Sequence, residues 1–328
     1  MSGKQPAGWS TVRRRLGTLL FVAVVAALPW VLGNDYYVNV LVFVGINSLL
    51  AVGLTLLMGC AGQVSLGHAA FFGLGAYTSG ILTAKYGWNP WPAMVVALAL
   101  VSAVAWVVGG PTLRLRGHYL AMATLGFGVI VALVLVEALP LTGGSSGLVG
   151  IPKLSIGGFA LDSNRRFYYV AWAFALLAVV LSRNIVNSRV GRALRAIHGS
   201  EVAANTLGVN TPQYKLQVFV LAAAFGALAG SLRAHFVNFL SPQPFGWHTS
   251  VALVVMVVVG GMGNVWGAIV GAAAVTIVQE ALRAFKDYDI LVFGLLLILV
   301  MMFVPGGLVG ALERLLARRR APREANTT

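Results

Sequence analysis

The sequence predicts an all-α integral membrane protein with about ten transmembrane helices, and three observations support this. The 328 residues are 59% hydrophobic, and the mean hydropathy is +0.86. Only 10% of the residues are charged, which is too little polar surface to cover the core of a soluble domain. Apolar segments close to the ~20 residues that cross a bilayer as helix recur along the chain.

These apolar segments define the expected helices in chain order. They lie at Leu16–Leu32, Val38–Met58, Gly67–Ala84, Pro92–Val108, Leu120–Leu139, Phe167–Leu181, Leu216–Phe236, Val251–Gly260, Gly267–Glu280 and Ile290–Val304. The Val251–Glu280 region is consistent either with two short crossings joined by a Gly-rich break or with one kinked helix. Many glycines lie inside the segments, where small residues let helices approach closely.

The net charge of +14 follows a membrane topology and does not require a nucleic-acid partner. With the N-terminus in the cytoplasm, most of the 23 Lys and Arg residues fall on the cytoplasmic side, as the positive-inside rule requires. Both termini are then cytoplasmic. The expected parts are a cytoplasmic tail at 1–16, a transmembrane domain at 17–310 and a second cytoplasmic tail at 311–328.

The N-terminal stretch "RRRLGTLLFVAVVAALPWVLG" has a second interpretation, since a basic run before a modest apolar run is also typical of a secretory signal. No clean small-x-small cleavage site follows it. Pro29 and Trp30 instead suit a helix end at the membrane interface. We therefore favour a first transmembrane helix.

Known catalytic and metal-binding motifs are missing from the sequence. It contains no G-x-x-x-x-G-K-[ST], no H-E-x-x-H and no G-x-S-x-G. The single cysteine, Cys60, excludes an intramolecular disulfide and a Cys-based metal cluster. We expect no catalytic residue, metal site or cofactor in this chain. No acidic residue lies deep in a span, which argues against a proton-driven pump, while Na⁺ coupling through backbone carbonyls stays open.

One apolar segment is interrupted by polar residues. In "GQVSLGHAAFFGLGAY", Gly62–Tyr77, these are Gln63, Ser65, His68 and Tyr77. Polar groups in lipid need partners, so we expect them to face the interior of the bundle. His68 either makes a structural hydrogen bond between helices or lines a substrate route.

A weak repeat links two parts of the chain. "GCAGQV" at Gly59–Val64 and "GGMGNV" at Gly260–Val265 share the pattern G-x-x-G-[QN]-V, and the topology places both at a cytoplasmic end. Broken helices of such repeats often meet near the substrate path of a transporter. The longest outer connection, Pro140–Arg166, is predicted to be either a plain loop or a partner-docking surface.

The stretch Ser188–Lys215 is polar although it lies between two very hydrophobic segments. It predicts a compact cytoplasmic element of two short helices, and residues 188–213 are called the hook. In the first helix, Val190, Leu194 and Ile197 recur at i, i+4 and i+7 and form an apolar side. Gly199 is expected to stop this helix in a left-handed conformation.

The second short helix has signals at both ends. Ser200 is the expected N-cap, and Glu201 lies in the first turn, where a carboxylate suits the helix dipole. Gly208–Val209 resembles a C-terminal cap, and the next span is expected to start with Thr211 as its cap and Pro212 at the first helical position. Its apolar side consists of Val202, Ala203, Leu207 and Val209. The hook either lies on anionic headgroups or docks into a groove of another protein.

The hook sequence "GRALRAIHGSEVAANTLGV" resembles the E-A-A loop of ABC importer permeases. An acidic residue, two small residues and a later glycine are matched by Glu201, Ala203, Ala204 and Gly208. The similarity extends to "GQVSLGHAAFFGLGAY", "PTLRLRGHYLAMATLGFG", "TGGSSGLVGIP", "GGMGNVWGAIVGA" and "FVPGGLVG". Together these segments resemble the branched-chain amino-acid permease family of ABC importers, in particular its M-type (LivM-type) subunit, from about Val38 to Gly310.

The resemblance implies the ABC importer permease architecture and a set of partners. These are a paralogous LivH-like permease, two ATPase subunits that bind ATP and Mg²⁺, and an extracytoplasmic substrate-binding protein, with membrane lipid around the subunit and no nucleic acid. The implied location is the bacterial inner membrane. The implied substrates are branched-chain or related hydrophobic amino acids. A urea or short-amide importer, a stand-alone secondary transporter and, with least support, a membrane-embedded enzyme are the alternatives.

Two groups of residues are expected to carry this function. Closure of the ATPases is expected to push on the hook through Gly191, Arg195, Glu201, Ala203, Ala204 and Gly208. The translocation route for an apolar amino acid is expected to be lined or supported by Gln63, Ser65, His68, Phe72 and Tyr77.

Overall fold

The computed structural model describes residues 21–156, 159–282, 294–295 and 307–310. The expected tails at 1–16 and 311–328 lie outside the described residues, and so does nearly all of the last expected span, Ile290–Val304. The division into two tails and one transmembrane domain therefore stays a prediction.

The described chain is built almost entirely of α-helices, which confirms the predicted fold class. The helices are α1 Phe21–Val31, α2 Asp35–Thr55, α3 His68–Ala84, α4 Pro90–Thr112, α5 His118–Glu137, α6 Leu139–Thr142, α7 Asn164–Asn187, α8 Arg189–Gly199, α9 Glu201–Thr206, α10 Thr211–Val237, α11 Trp247–Gly260 and α12 Val265–Leu282. A π-helical turn, Leu56–Cys60, prolongs α2.

Within the described ranges, six helices are long and apolar enough to cross a membrane. They are α2 with its π turn, α4, α5, α7, α10 and α12, while α1 and α11 are shorter apolar helices. The Val251–Glu280 region, which the sequence leaves undecided, is two helices, α11 and α12, with a break at 261–264. The chain is thus a multi-pass membrane protein.

Helices α2 and α10 form the centre of the bundle. The most apolar window of α2 is 78% buried and that of α10 is 67% buried, whereas that of α5 is only 28% buried. Helix α10 packs against α2, α3 and α4, and α2 packs against α7 and α12. Hydropathy alone does not set this burial, because the window of α5 is as apolar as that of α2, with a mean hydropathy of 2.4, and that of α10 is less apolar, at 1.6.

Helices α3 and α10 run in the same direction and touch through glycines. A Cβ atom on Gly75 would lie 2.4 Å from the Ala227 backbone, and one on Gly230 would lie 2.0 Å from the Phe72 carbonyl oxygen. Farther along, the Ser79 hydroxyl meets the His235 ring at 2.8 Å. The predicted role of glycines in close packing is confirmed here.

The connection Pro140–Arg166 is folded against the end of the bundle opposite the hook. Strand β1, Leu148–Val149, pairs antiparallel with β4, Phe239–Leu240, which follows α10. Strands β2, Ser155–Ile156, and β3, Phe159–Ala160, form a small hairpin. His235 holds the connection down, because its Nδ1 donates to the Pro152 carbonyl at 2.8 Å.

Candidate functional site

The hook consists of the two short helices α8 and α9, as predicted. The Ser188 hydroxyl accepts the Val190 N–H at 3.1 Å and caps α8. The Ser200 hydroxyl accepts the Ala203 N–H at 3.3 Å and caps α9, which confirms the predicted N-cap. After α9, Gly208 adopts the left-handed conformation, with φ +81°, and the Val209 N–H donates to the Ala204 carbonyl. This is the predicted glycine cap at the carboxyl end of the helix.

Two details of the predicted hook are wrong. Gly199 does not stop α8 in a left-handed conformation, because it is the last helical residue and Ser200 turns the chain by an extended φ of −161°. Thr211 does not cap α10. The cap is Asn210, whose side chain accepts the Gln213 N–H, so that Thr211 is the first helical residue and Pro212 the second.

Helix α8 fastens the hook to the end of α7. Leu194 and Ile197 of its predicted apolar side are buried, and Val190 is half-buried. Gly191 is also buried, and a Cβ atom there would lie 2.2 Å from the Val186 carbonyl oxygen. The Arg195 guanidinium donates to the same carbonyl at 2.8 Å. Gly191 and Arg195 therefore join the hook to α7 within this chain.

Helix α9 presents two large apolar side chains to the outside. Leu207 is 82% exposed and Val202 is 62% exposed, and we call this pair the knob. Ala203 and Gly208 are exposed beside them, whereas Ala204 is buried and faces the bundle. Of the six residues expected at the ATPase contact, Ala203 and Gly208 are thus the ones at the tip of the hook.

The Glu201 carboxylate is held by cations of this same chain. Its Oε2 lies 2.7 Å from Nζ of Lys215, the second-turn lysine of α10, and 3.3 Å from Nε of Arg116 in the α4–α5 connection. The Lys215 side chain is 1% exposed, and that of Glu201 is 21% exposed. A cleft of about 710 Å³ adjoins this cluster. It lies between the end of α4, the hook and the start of α10.

The hook also touches the break between α2 and α3. Gly62, at φ +66°, lies against the ring of His198, and a Cβ atom on Gly62 would be 3.4 Å from that ring. From there residues 61–67 run without helical structure until α3 begins at His68. The contacts between α3 and α10 place His68 about two to three turns beyond the start of α10, so the break enters the bundle.

Neighbouring helices satisfy part of the backbone of this break and of the first turn of α3. The Leu66 N–H donates to the Thr124 hydroxyl of α5, and the Ala69 N–H donates to the Ser250 hydroxyl of α11, both at 3.0 Å. Irregular backbone at membrane depth is tolerated where protein surrounds it, and these bonds show how.

The break is also where the two repeated motifs meet. A Cβ atom on Gly59 would lie 1.4 Å from the Met262 carbonyl oxygen, so "GCAGQV" and "GGMGNV" are in direct backbone contact. Both motifs begin in the last residues of a helix and continue past its end, the π turn of α2 in one case and α11 in the other. The chain therefore has two helix breaks packed on each other at the hook end of the bundle.

The residues expected along the translocation route are all buried near this break or in α3. Their exposed fractions are 9% or less for Gln63, Ser65, His68, Phe72 and Tyr77. Three polar atoms among them, Gln63 Oε1, Ser65 Oγ and His68 Nε2, have no hydrogen-bond partner within the described residues. One of the two roles expected for His68 was a hydrogen bond between helices. Its Nε2 atom makes no such bond within the described residues.

The two segments that carry the expected groups touch where His198 of the hook lies against Gly62, although neither residue belongs to either group. Sequence reasoning missed Lys215 and Arg116 as partners of Glu201. It did place Val202 and Leu207 on an apolar side, but not among the site residues. The large apolar residues Val202 and Leu207 in an otherwise polar segment were the signal for the knob, whereas no local pattern joins Arg116 to Glu201.

Comparisons with known proteins agree with this architecture. Residues 36–304 match the family described as "Branched-chain amino acid transport system / permease component". The high-affinity branched-chain amino acid transport system permease protein LivM of Salmonella typhimurium strain LT2 is 33% identical over 323 residues, covering 92% of this chain and 76% of that protein. LivM of Escherichia coli K12 is 32% identical over 326 residues, with the same coverage.

A second type of permease protein also matches. LivH of Escherichia coli K12 is 28% identical over 284 residues, covering 81% of this chain and 92% of that protein. No solved structure matches the chain. Because the family match spans most of the chain and a relative above 30% identity covers nearly all of it, this chain belongs to the branched-chain amino acid transport permease family.

Proposed function

We propose that this chain is a membrane-spanning permease subunit of an ATP-driven importer for branched-chain or related hydrophobic amino acids. Family membership and the multi-pass helical fold support the proposal. The relatives LivM and LivH are both named as high-affinity branched-chain amino acid permease proteins, which supports the substrate class. In this proposal the chain is not an enzyme.

The proposed importer contains further subunits. A LivH-like permease completes the pore, and the similarity of this chain to both LivM and LivH supports such a pairing. Two ATPases bind ATP and Mg²⁺ on the cytoplasmic side, and an extracytoplasmic binding protein delivers the substrate. The complex lies in the bacterial inner membrane with both termini of this chain in the cytoplasm, which the distribution of Lys and Arg supports.

The proposed contact with the ATPases rests on the exposed knob. Leu207 and Val202 are apolar and exposed on a short polar helix, although α8 and Ala204 anchor the same hook firmly. Apolar side chains clustered at the tip of a rigid element are typical of a docking surface. The ATPases dock on the knob together with Ala203 and Gly208, while Gly191 and Arg195 transmit the force to α7.

Closure of the ATPases then rocks the helices and gives alternating access. The contact of His198 with Gly62 supports a route for this motion, since the break that Gly62 begins leads to Ser65 and His68. Displacing the hook shifts the break and the start of α3. Because packed interfaces switch between discrete arrangements, a small shift is enough to exchange the open side of the pore.

Replacing Leu207 with aspartate tests the docking site. Leu207→Asp is expected to leave the subunit folded, because the side chain is 82% exposed, and to abolish co-purification of the ATPases. ATP-dependent uptake by the reconstituted importer is expected to fall with it. Asn184→Asp, which adds the same charge at an exposed site on α7, is the matched control and is expected to retain both.

Uptake by the importer reconstituted in liposomes also distinguishes the alternative functions. Competition by leucine supports the amino-acid importer, and competition by urea alone would redirect the proposal to a short-amide importer. Transport by the purified subunit without ATPases would indicate a secondary transporter. Unchanged ATPase binding and uptake in Leu207→Asp would contradict the docking site.

The translocation route is the second part of the proposal, and three unpartnered polar atoms support it. Leaving a buried polar atom unbonded is costly, and three such atoms within residues 63–68 at a helix break support a site that a ligand or water reaches. Ser65→Ala is expected to lower uptake per folded subunit. Ser182→Ala, which removes another buried unpartnered hydroxyl on α7, is the control and is expected to leave uptake normal. Losses that only follow the amount of protein would count against this route.

A further inference from the structure

Lys215 is a charged residue in an unusual place. It lies near the start of α10, its side chain is 1% exposed, and it is among the largest fully buried side chains in the described part of the chain. Its ammonium lies 2.7 Å from the Glu201 carboxylate. A buried ammonium ion is tolerated only with such a partner, so Lys215 fixes the position of Glu201.

Stability alone does not explain this pair. Buried ion pairs can often be replaced by apolar residues of similar volume without loss of stability, and what they provide is a defined geometry. Here the geometry joins three elements through one oxygen atom. Glu201 Oε2 meets Lys215 of α10, and also Arg116 of the connection between α4 and α5.

The Glu201 carboxylate also points away from the surface expected to receive the ATPases. The knob residues Val202 and Leu207 are exposed, whereas Glu201 is only 21% exposed and lies between the buried Lys215 and the cleft beside α4. Both cations lie on Oε2, so the negative charge of the Glu201 carboxylate is already compensated within this chain, which weakens its attraction for a cation of another subunit. Glu201 is therefore built into the joint between the hook and the bundle.

We propose that Glu201 is a positioning residue that links the hook rigidly to α10 through Lys215, and that it does not contact the ATPases. This inference rests on the proposed function, in which the hook receives force from the ATPases. A push on the knob then passes through Glu201 and Lys215 into α10. From α10 it reaches α3 through the close contacts at Gly75 and Gly230.

The double variant Glu201→Gln with Lys215→Met tests the proposal in the complete reconstituted importer. It removes both charges at once, leaves no unpaired buried ion and keeps the side-chain volumes close to the originals, so we expect it to fold. The ATPases are expected to co-purify normally. Substrate transported per ATP hydrolysed is expected to fall by roughly tenfold, within the usual range of coupling between sites, while the KM for ATP stays unchanged.

Two further variants sharpen the result. The exchange of Glu201→Lys with Lys215→Glu is expected to recover more of the coupling than the neutral double variant does. The exposed ion pair Lys153 and Asp162, 3.5 Å apart at the opposite end of the bundle, provides the matched control. Lys153→Met with Asp162→Asn is expected to leave transport per ATP unchanged.

Normal coupling in the neutral double variant would overturn the proposal. Loss of the ATPases from the double variant would also overturn it, since Glu201 would then belong to the docking surface. A third contrary outcome is an exchanged variant that folds and binds the ATPases but recovers no coupling between ATP hydrolysis and transport. Leu207→Asp separates failure of the docking site from failure of the role of Glu201. If that variant keeps its ATPases, the docking site and this inference both fall. If it loses them while the double variant couples normally, only the role of Glu201 falls.

Discussion

Gly208 shows how one residue can be exposed and still constrained. No atom lies within 4 Å of a Cβ placed there, but its φ of +81° is a conformation that residues with a side chain rarely adopt. A bulky replacement therefore adds both strain and a steric block at the ATPase contact, and only a comparison of two variants separates the two effects.

We expect Gly208→Asn to retain transport, because asparagine tolerates the left-handed conformation better than other residues and is small. Gly208→Trp is expected to uncouple ATP hydrolysis from uptake while the subunit still accumulates in the membrane. The ratio of uptake to ATP hydrolysis in liposomes measures the difference. If the two variants are equally impaired, backbone strain and not docking explains the loss.

Gly75 is constrained by a neighbour instead of by its own conformation. A Cβ atom would lie 2.4 Å from the backbone of Ala227, which belongs to the central helix α10 and has no room to move. Gly75→Leu is expected to destabilise the subunit by at least ~1–3 kcal/mol, the usual cost of overpacking. Thermal unfolding in detergent, followed by size-exclusion chromatography, measures the change.

Gly126 provides the control for this substitution. It lies on the exposed side of α5, and no atom lies within 4 Å of a Cβ placed there. Gly126→Leu is expected to unfold at the same temperature as the unmodified chain. A similar loss in both variants would mean that the contact between α3 and α10 is looser than described.

Residue roles were predictable where the cause is local. Ser200 and Gly208 cap a helix through atoms within a few positions, so their residue types and spacing suffice to identify them. The cap at Asn210 was missed because Asn and Thr are both good N-caps and stand next to each other. The pairing of Glu201 with Lys215 depends on how α9 folds back onto α10, which no short-range pattern encodes.

At the scale of elements, the hook is stable only as part of the whole. Helix α8 has 11 residues and α9 has 6, both below the ~12–15 residues at which isolated helices become stable in water. Their support comes from Leu194, Ile197 and Ala204, which are buried against the bundle. The hook therefore keeps a fixed shape through its anchoring contacts.

A synthetic peptide of residues 188–210 is accordingly expected to show little helix in buffer by far-ultraviolet circular dichroism. The same sequence gives two capped helices in the intact subunit. Strong helicity in the free peptide would mean that local propensity and not the bundle holds the hook. A peptide in which Leu194 is replaced by Ala, with its higher helix propensity, is expected to be no less helical than the original.

Hydropathy predicted the long helices well, since length and apolar composition are what a bilayer selects. It could not place the break at 61–67 inside the bundle. That segment is stable because Thr124 and Ser250 of other helices bond its backbone, and those partners are far away in the sequence. Its polar residues marked an unusual segment, but not its shape.

At the scale of the whole molecule, the two ends of the bundle differ in character. The hook end carries the knob, the Glu201 cluster and the two packed breaks. The opposite end is covered by the connection that His235 and Asn238 hold through hydrogen bonds to Pro152 and Ile151. This asymmetry fits a subunit that is driven from one side and receives substrate from the other.

Cysteine labelling with a membrane-impermeant maleimide tests this orientation. In membranes of cells that lack the ATPases, so that the knob is uncovered, Leu207→Cys is expected to react only in inside-out vesicles, and Val149→Cys, 68% exposed at the other end, only in intact spheroplasts. The unmodified chain serves as the background, because its single cysteine, Cys60, is buried. Labelling of both sites from the same side would contradict the topology.

The break before α3 also has a consequence for biosynthesis. The Ala69 N–H donates to Ser250, which is synthesised 181 residues later, and the Leu66 N–H donates to Thr124, which is synthesised 58 residues later. Until those helices enter the bilayer, these two N–H groups lack their hydrogen-bond partners, and hydrocarbon offers no substitute. We therefore expect the packing of this early segment to be completed only when α11, made long after it, enters the bilayer.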